Sequence, residues 1–472
     1  MPNGIDGYDV AIIGAGIGGL VCGCYLAKAG MKVLVAEQHH KPGGYCTSFK
    51  RRGFTFDAAA HSFGSYRNGG NMRFILETLD LDKTLKIKRY VPSDIIITND
   101  YKITFWPDIN RTIEELQCAF PHEAENVRKF IQYLTSSKPI DFAALRKKTF
   151  QDLLDQYFQD EHLKAILALP ALGNGALPPS LISAFTGSKI FTEFILDGGY
   201  YPEGGLQALP DALTEKIRSF GGEVRLSNLV KKIVVKDNAV RGIILEKDGF
   251  IPAQYIVSNC DVRQTFFKLL GKKIVKASVL NKIKSMTPSL STFILYLGIT
   301  EYSKDMPDPG LNLWFMPFYN LEDAYFSITK GDFNNMGGYM VRLSPDKRTI
   351  LAFMNAPFKT KHYWEKNKNV LLESFIKRIE KHTIPGLSNH IAHKEAATPH
   401  TLYRYTLNYR GSAYGWASFP SQLFTPELRQ STHINGLYLA GHWTTQTQGI
   451  PGVAYLGLDT AKLILKKRKP RI

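Results

Sequence analysis

The sequence predicts an α/β fold in which a dinucleotide-binding sheet is interrupted by a second, α+β domain. Three observations carry this. An apolar run over 8–13 leads into a G-x-G-x-x-G turn formed by Gly14, Gly16 and Gly19. A small-residue helix follows, then a second apolar run, Lys32 to Glu37, ending in a carboxylate. Buried-strand patterns return at 223–259 and 436–441, separated by long stretches of different character, in a 472-residue chain able to hold two cores.

The opening unit explains itself residue by residue. Residues 8–13 suit a buried parallel strand. Gly14 permits the tight strand-to-helix turn, Gly16 leaves room for a pyrophosphate at the backbone, and Gly19 lets the helix pack closely on the sheet. The positive end of that helix, about Gly18 to Ala29, favours phosphate charge. Cys22, Gly23, Cys24 and Ala27 are small enough for close packing, and Gly30 supplies the C-terminal cap. Glu37 stands 18 residues beyond Gly19, where a Rossmann-type fold binds a ribose diol.

Composition narrows the classes. The formal charge is +17. No nucleic-acid-binding motif accompanies it, which leaves attraction to an anionic membrane face or a solvated basic surface. Cys22, Cys24, Cys46, Cys118 and Cys260 are odd in number and show no metal-ligand spacing, which implies reduced thiols in a cytoplasmic setting and no metal. The first apolar run is the first strand rather than a signal segment, and no run reaches the ~18 apolar residues of a membrane span. Any membrane contact is expected to be peripheral.

Further along, 71–88 reads as a helix and its exit, and 94–106 as two strands around an Asn99-Asp100 turn. Residues 111–172 read as helical with Pro121, Pro139 and Pro170 as punctuation, followed by a loop from Gly173. Ser183 to Leu196 is apolar and aromatic; it suits a core helix, a cavity wall or a membrane-facing lid. A helix over Ala208–Phe220 precedes strand-like runs at 223–226, 230–235, 240–245 and 251–259. Runs at 292–298 and 349–354 flank an aromatic stretch, 311–319, and Trp364 to His382 reads as an exposed amphipathic helix. A basic run from Lys466 closes the chain as a solvated end or a membrane tether.

Glu37-Gln38 with Gly43-Gly44, the run Gly53 to Asp57, the Tyr201-Pro turn with Gly204-Gly205, and Gly449-Ile-Pro-Gly452-Val453 together resemble the phytoene desaturase, carotenoid isomerase and retinol saturase superfamily. The resemblance implies an FAD-binding domain of the glutathione-reductase and amine-oxidase type in three parts, 1–85, 200–285 and 429–472. The inserted substrate or membrane-facing domain then takes 86–199 and 286–428. By the same resemblance, Gly14, Ala15, Gly16, Gly18, Gly19, Glu37, Gln38, Gly43, Gly44, Val230, Gly441, His442, Gly452 and Val453 bind FAD, with Val230 near the adenine and 441–453 covering the flavin. Three departures stand out. Tyr45 replaces a frequent arginine, so a pyrophosphate contact is expected from Arg51 or Arg52; Ala59 replaces a glycine; His442 replaces an acid found in many flavin oxidases.

A flavin carries hydride chemistry itself, so the protein need only bind, orient and exclude water. No Ser/His/Asp set or carboxylate pair is apparent. His61 and His442 lie on flavin-side motifs, His61 being the one candidate for catalysis, and Cys46 follows Gly44, where packing is favoured over redox work. The expected substrate is a long apolar polyene, undergoing desaturation, saturation or isomerisation, with a quinone or oxygen as a possible electron acceptor. A flavin amine oxidase and a non-catalytic lipid-binding escort protein remain the alternatives.

Overall fold

The computed structural model describes residues 7–136, 144–333, 338–444 and 448–467; Pro139 and the basic tail beyond Lys467 lie outside these. Two seven-stranded sheets organise them. In the first, strand Tyr8–Ile13 lies between Val33–Ala36 and the second half of Gly249–Ser258, parallel to both. Glu223–Arg225 extends one side. On the other, Leu437–Leu439 runs parallel to Gly249–Ser258, whose first half turns into an antiparallel ribbon with Val230–Lys236 and Ala239–Leu245. The central strands are buried on both faces: helix Ile17–Lys28 and its neighbours cover one, and the antiparallel ribbon with residues 262–286 covers the other.

Helix Ile17–Lys28 packs on this sheet against Ala208–Ser219 and the last helix, Gly449–Lys467. It ends in a Schellman arrangement. The Met31 N–H bonds the Leu26 carbonyl and the Gly30 N–H that of Ala27, with Gly30 at φ 75°.

The second sheet has the order Ile391–Ala397, Ser291–Ile299, Thr349–Ala356, Tyr339–Leu343, Asn312–Phe315, Asp94–Ile97 and Lys102–Phe105. One face packs on a helical layer drawn largely from residues 109–196. The other packs on Lys361–His382, which buries Trp364, Leu371, Phe375 and Ile379 and exposes its charged side.

Three sequence expectations change. Pro170 does not punctuate: it lies inside helix Glu161–Gly175, which continues through Gly173 and stops only at Ala176, in the left-handed conformation. Burial on nearly all sides holds that helix together despite the missing proline donor. Gly173 is therefore helical rather than a loop residue, and an added side chain would overlap the Trp314 ring. The stretch Ala184–Leu196 divides into a helix, Ala184–Ile190, and a π-helical turn, Phe191–Leu196. None of its large apolar side chains is exposed, and Leu311–Met316 is equally buried. Among the described residues, no helix is long and apolar enough to cross a membrane.

The helical layer should be sensitive to volume. Phe130 is fully buried against Phe158 and Tyr157, with ring centroids at 5.2 and 5.4 Å. Phe130→Ala is expected to cost about 3–5 kcal/mol, whereas exposed Val370→Ala should stay within about 0.5 kcal/mol. Urea denaturation of the two variants beside the parent checks this; equal midpoints would show the layer to be loosely packed.

Candidate functional site

A cavity of about 1530 Å³ runs from the C-terminal ends of the first sheet to the face of the second. A single small-molecule site usually takes ~300–1,000 Å³, so this one has room for a dinucleotide and a second ligand.

Its first end is built from backbone. Gly16 begins helix Ile17–Lys28 with no side-chain cap, so the helix N-terminus is left open to a ligand. The Gly43 N–H bonds the Ala15 carbonyl at 2.7 Å, which seats the Gly43-Gly44 turn on the first glycine turn. Asn259 follows the strand Gly249–Ser258 and fills the centre. Its Nδ2 donates to the Gly14 carbonyl at 3.3 Å. A Cβ at Gly18 would come 2.8 Å from its Oδ1, one at Gly441 2.6 Å from the same atom, and one at Gly19 3.0 Å from Nδ2. The glycines at 18, 19 and 441 thus make room for one amide as well as for a ligand.

Glu37 sits at the end of its strand. Its carboxylate accepts from the Ala15 N–H and the His39 N–H, both at 2.8 Å. Burial pushes its pKa up, and those N–H donors pull the other way. It braces the turn and lines the cavity, where a ribose diol would need an acceptor.

Gly14, Gly16, Gly18, Glu37, Gln38, Gly43, Gly44, His61, Val230, Gly441, His442 and Val453 all line this one cavity. Ala15, Gly19 and Gly452 stand just outside the lining. Ala15 gives its N–H to Glu37, Gly19 faces the Gly14 carbonyl, and Gly452 lies in the first turn of the last helix. Of the arginines expected to replace the one lost at Tyr45, Arg52 is exposed in a turn at φ 50° and does not reach the cavity. Arg51 does reach it but pairs with Glu395 at 3.5 Å. Tyr45 is itself fixed: its hydroxyl donates to the Ser412 carbonyl at 2.7 Å and accepts from Asn408 at 3.2 Å.

Both histidines are held neutral. Burial, helped by the charge of Arg342, pulls the His61 pKa down to about 3, and burial pulls His442 down to about 4. Both rings line the cavity and are partly buried. The Cys46 thiol, pushed up to about 12 by burial, is no ready nucleophile. Among the described residues, no group of three or more His, Cys, Asp or Glu is placed to hold a metal ion.

The second end is apolar. Phe185, Ile190 and Phe194 come from the 184–196 segment, Ile294 and Phe353 from the second sheet, and Leu402 from helix Pro399–Thr406. The sequence reading assigned no role to Asn259, Tyr414 or Asp94, though all three line the cavity or its floor. Asn259 had a usable signal: it directly follows a buried strand, where such sheets bind ligands.

Known proteins share sequence and fold with this chain. Residues 12–79 match the family model of the NAD(P)-binding Rossmann-like domain. The chain is 27% identical to the chloroplastic prolycopene isomerase of Daucus carota, covering 96% of this chain and 79% of that protein. It is 26% identical to the lycopene-forming phytoene desaturase of Pantoea ananas (96% and 98% covered) and 23% to the all-trans-retinol 13,14-reductase of Danio rerio (92% and 82%). Among solved structures, an oxidoreductase from Methanosarcina mazei superposes with a TM-score of 0.68 at 18% identity, covering 96% of this chain and 99% of that one. Cyclohexylamine oxidase from Brevibacterium oxydans gives 0.61 at 15%, covering 97% and 100%. These two show a shared fold.

The neutral histidines predict a pH dependence. Their folded pKa values lie below the unfolded value of ~6.5, so their stabilising effect is complete above that pH and is lost as pH falls towards about 3 for His61 and about 4 for His442. Asp57 and Asp261, raised to about 6 by burial, act in the opposite sense over the same range. The clean readout is therefore a difference: His61→Gln and His442→Gln should each gain on the parent by up to a few kcal/mol as pH drops from 6.5 to 4. Thermal melts across that range give the answer, and a pH-independent gap would refute it.

Proposed function

We propose that this chain, which falls in the carotenoid desaturase, carotenoid isomerase and retinol saturase superfamily, is an FAD-dependent oxidoreductase acting on carbon–carbon bonds of a long apolar polyene. The observation that carries this is the continuity of one cavity, glycine-lined and polar at the dinucleotide end and apolar at the other. The residues fit the cofactor. The open helix start at Gly16 and the Gly43-Gly44 turn would hold the pyrophosphate, Glu37 the ribose, and Val230 the adenine. Gly441, His442 and Val453 would face the flavin end.

FAD, when bound there, supplies hydride acceptance or donation. The protein's own part is positional. Phe185, Phe194, Ile294 and Phe353 exclude water and hold an apolar chain alongside the cofactor groove. Among the possible reactions, the likeness to prolycopene isomerases and phytoene desaturases favours isomerisation or desaturation over saturation. The +17 charge supports attraction to an anionic bilayer, from which such a substrate would be drawn.

Purified protein should be yellow, with flavin released by heat. Gly16→Val should be colourless, because its side chain would stand in the phosphate path. Holoenzyme incubated without oxygen with cis and trans polyenes, once oxidised and once pre-reduced, should alter product absorbance. Desaturation lengthens the chromophore, saturation shortens it and isomerisation keeps its length. Bleaching by amines with no reaction on any polyene would replace this reading with an amine oxidase.

A further inference from the structure

The cofactor groove and the apolar chamber meet where residues 411–415 cross the start of strand Ser291–Ile299. There the Ser291 hydroxyl donates to the Gly411 carbonyl at 2.6 Å, and the Ala413 N–H to the Leu290 carbonyl at 3.2 Å. Gly415 lies so close to the closing loop that a Cβ on it would stand 2.2 Å from the His442 carbonyl oxygen. Thr292, next in the strand, shares a face with Ile294, and both line the cavity. Asn355, in register beside Thr292, donates to the Leu172 carbonyl at 2.8 Å. The Tyr414 hydroxyl donates to the Gly173 carbonyl at 3.1 Å. These two bonds seat the last turn of helix Glu161–Gly175 at the same junction, and Asn174 of that turn also lines the cavity.

Thr292 and Asn174 are polar groups beside apolar walls. Among the described residues, neither the Thr292 hydroxyl nor the Asn174 carboxamide has a hydrogen-bond partner, and their polar atoms are not sealed off as Asp94 Oδ2 is. A hydrocarbon chain that displaces solvent from the chamber offers them nothing, and a polar group left unpaired in a dried cavity is costly. The other ligand of this cavity does offer partners, because an isoalloxazine ring carries hydrogen-bond acceptors and a donor. A hydroxyl and a carboxamide can each both donate and accept. That suits a ring whose central nitrogen accepts when oxidised and carries a hydrogen when reduced. Reduction also adds electron density, which hydrogen-bond donors stabilise.

Resting on the FAD reading above, we propose that Thr292 and Asn174, supplied by the second sheet and its helical layer, hydrogen-bond the isoalloxazine of bound FAD and raise its reduction potential. The wall that holds the substrate thereby also sets how readily the cofactor takes up electrons.

The parent and the variants Thr292→Val, Thr292→Ser and Asn174→Leu are loaded with FAD, and the two-electron midpoint potential of each is measured by anaerobic titration against a reference dye. Val and Leu nearly keep the volumes they replace, and retained flavin reports that a variant is folded. Thr292→Val and Asn174→Leu should each lower the preference for reduced over oxidised cofactor about tenfold, a fall of ~30 mV. Thr292→Ser keeps the hydroxyl and should match the parent. Loss of flavin from Thr292→Val or Asn174→Leu, with an apoprotein melt like the parent's, also supports the contact. An unchanged potential in either of these variants, or a fall in Thr292→Ser equal to that in Thr292→Val, overturns the proposal and leaves the FAD and polyene readings intact. A parent that takes up no FAD overturns the cofactor reading and this proposal together.

Discussion

Much of the first half of this cavity depends on one side chain meeting backbone. Asn259 leaves the sheet between the first and the last strands of the cofactor-binding unit, its own N–H bonded to the Ile13 carbonyl. Its amide then occupies the space that Cβ atoms would take at Gly18, Gly19 and Gly441. Segments more than 400 residues apart in sequence are brought to van der Waals contact there. The first glycine turn, the end of strand Gly249–Ser258 and the closing loop are thus one packing problem. A side chain at any of these glycines would separate the helix start from the loop facing it, and the anion-binding geometry would go with it.

The second half depends on a different kind of constraint. A guanidinium as deep as Arg342 is expensive to bury unless charge and hydrogen bonds surround it. Here Asn312 accepts from it, Asp94 and Asp57 lie within electrostatic reach, and two tyrosine rings flank it. Asp57 in turn accepts from the Tyr201 hydroxyl at 2.5 Å and from the Leu206 N–H at 3.2 Å. Asp57 belongs to the short hairpin Ser48–Arg51 and Phe54–Asp57, and Tyr201 pairs with Lys88. The network therefore fastens the second sheet to segments leading out of the first. Such a network fixes one arrangement of the parts more than it adds net stability.

The cofactor half was legible in the sequence because its signals are local. Gly14 to Glu37 is a strand, turn, helix and strand in unbroken order, and each residue's role follows from its neighbours. The same holds for Gly43-Gly44 and the Gly441–Val453 segment, which all reach the cavity. The substrate half was less so, because its determinants are non-local. The buried row Asp94, Asn312 and Arg342 is assembled by strand register, with Asp94 218 residues from Asn312, and no short motif marks it. Pro170 misled for a related reason: burial around its helix outweighs the local penalty. The apolar runs at 183–196 and 311–319 were read correctly as apolar, but composition alone does not separate a cavity wall from a membrane face. Packing adds that none of their large side chains is exposed.

The electrostatics of the chamber bear on what kind of chemistry it suits. General acid–base work at neutral pH needs a group whose pKa lies near the working pH. His61 and His442 are far below it, the Cys46 thiol far above it, and Glu37 is engaged with two backbone N–H groups. Tyr45 is pushed up to about 12 and tied to Ser412 and Asn408, and Tyr414 is pinned to the Gly173 carbonyl at 3.1 Å. Burial is the leading cause of every one of these pKa shifts, so the water exclusion that disables proton transfer is also what an apolar chain requires. With FAD bound, the redox chemistry is the cofactor's, and what these buried groups contribute is orientation and dryness.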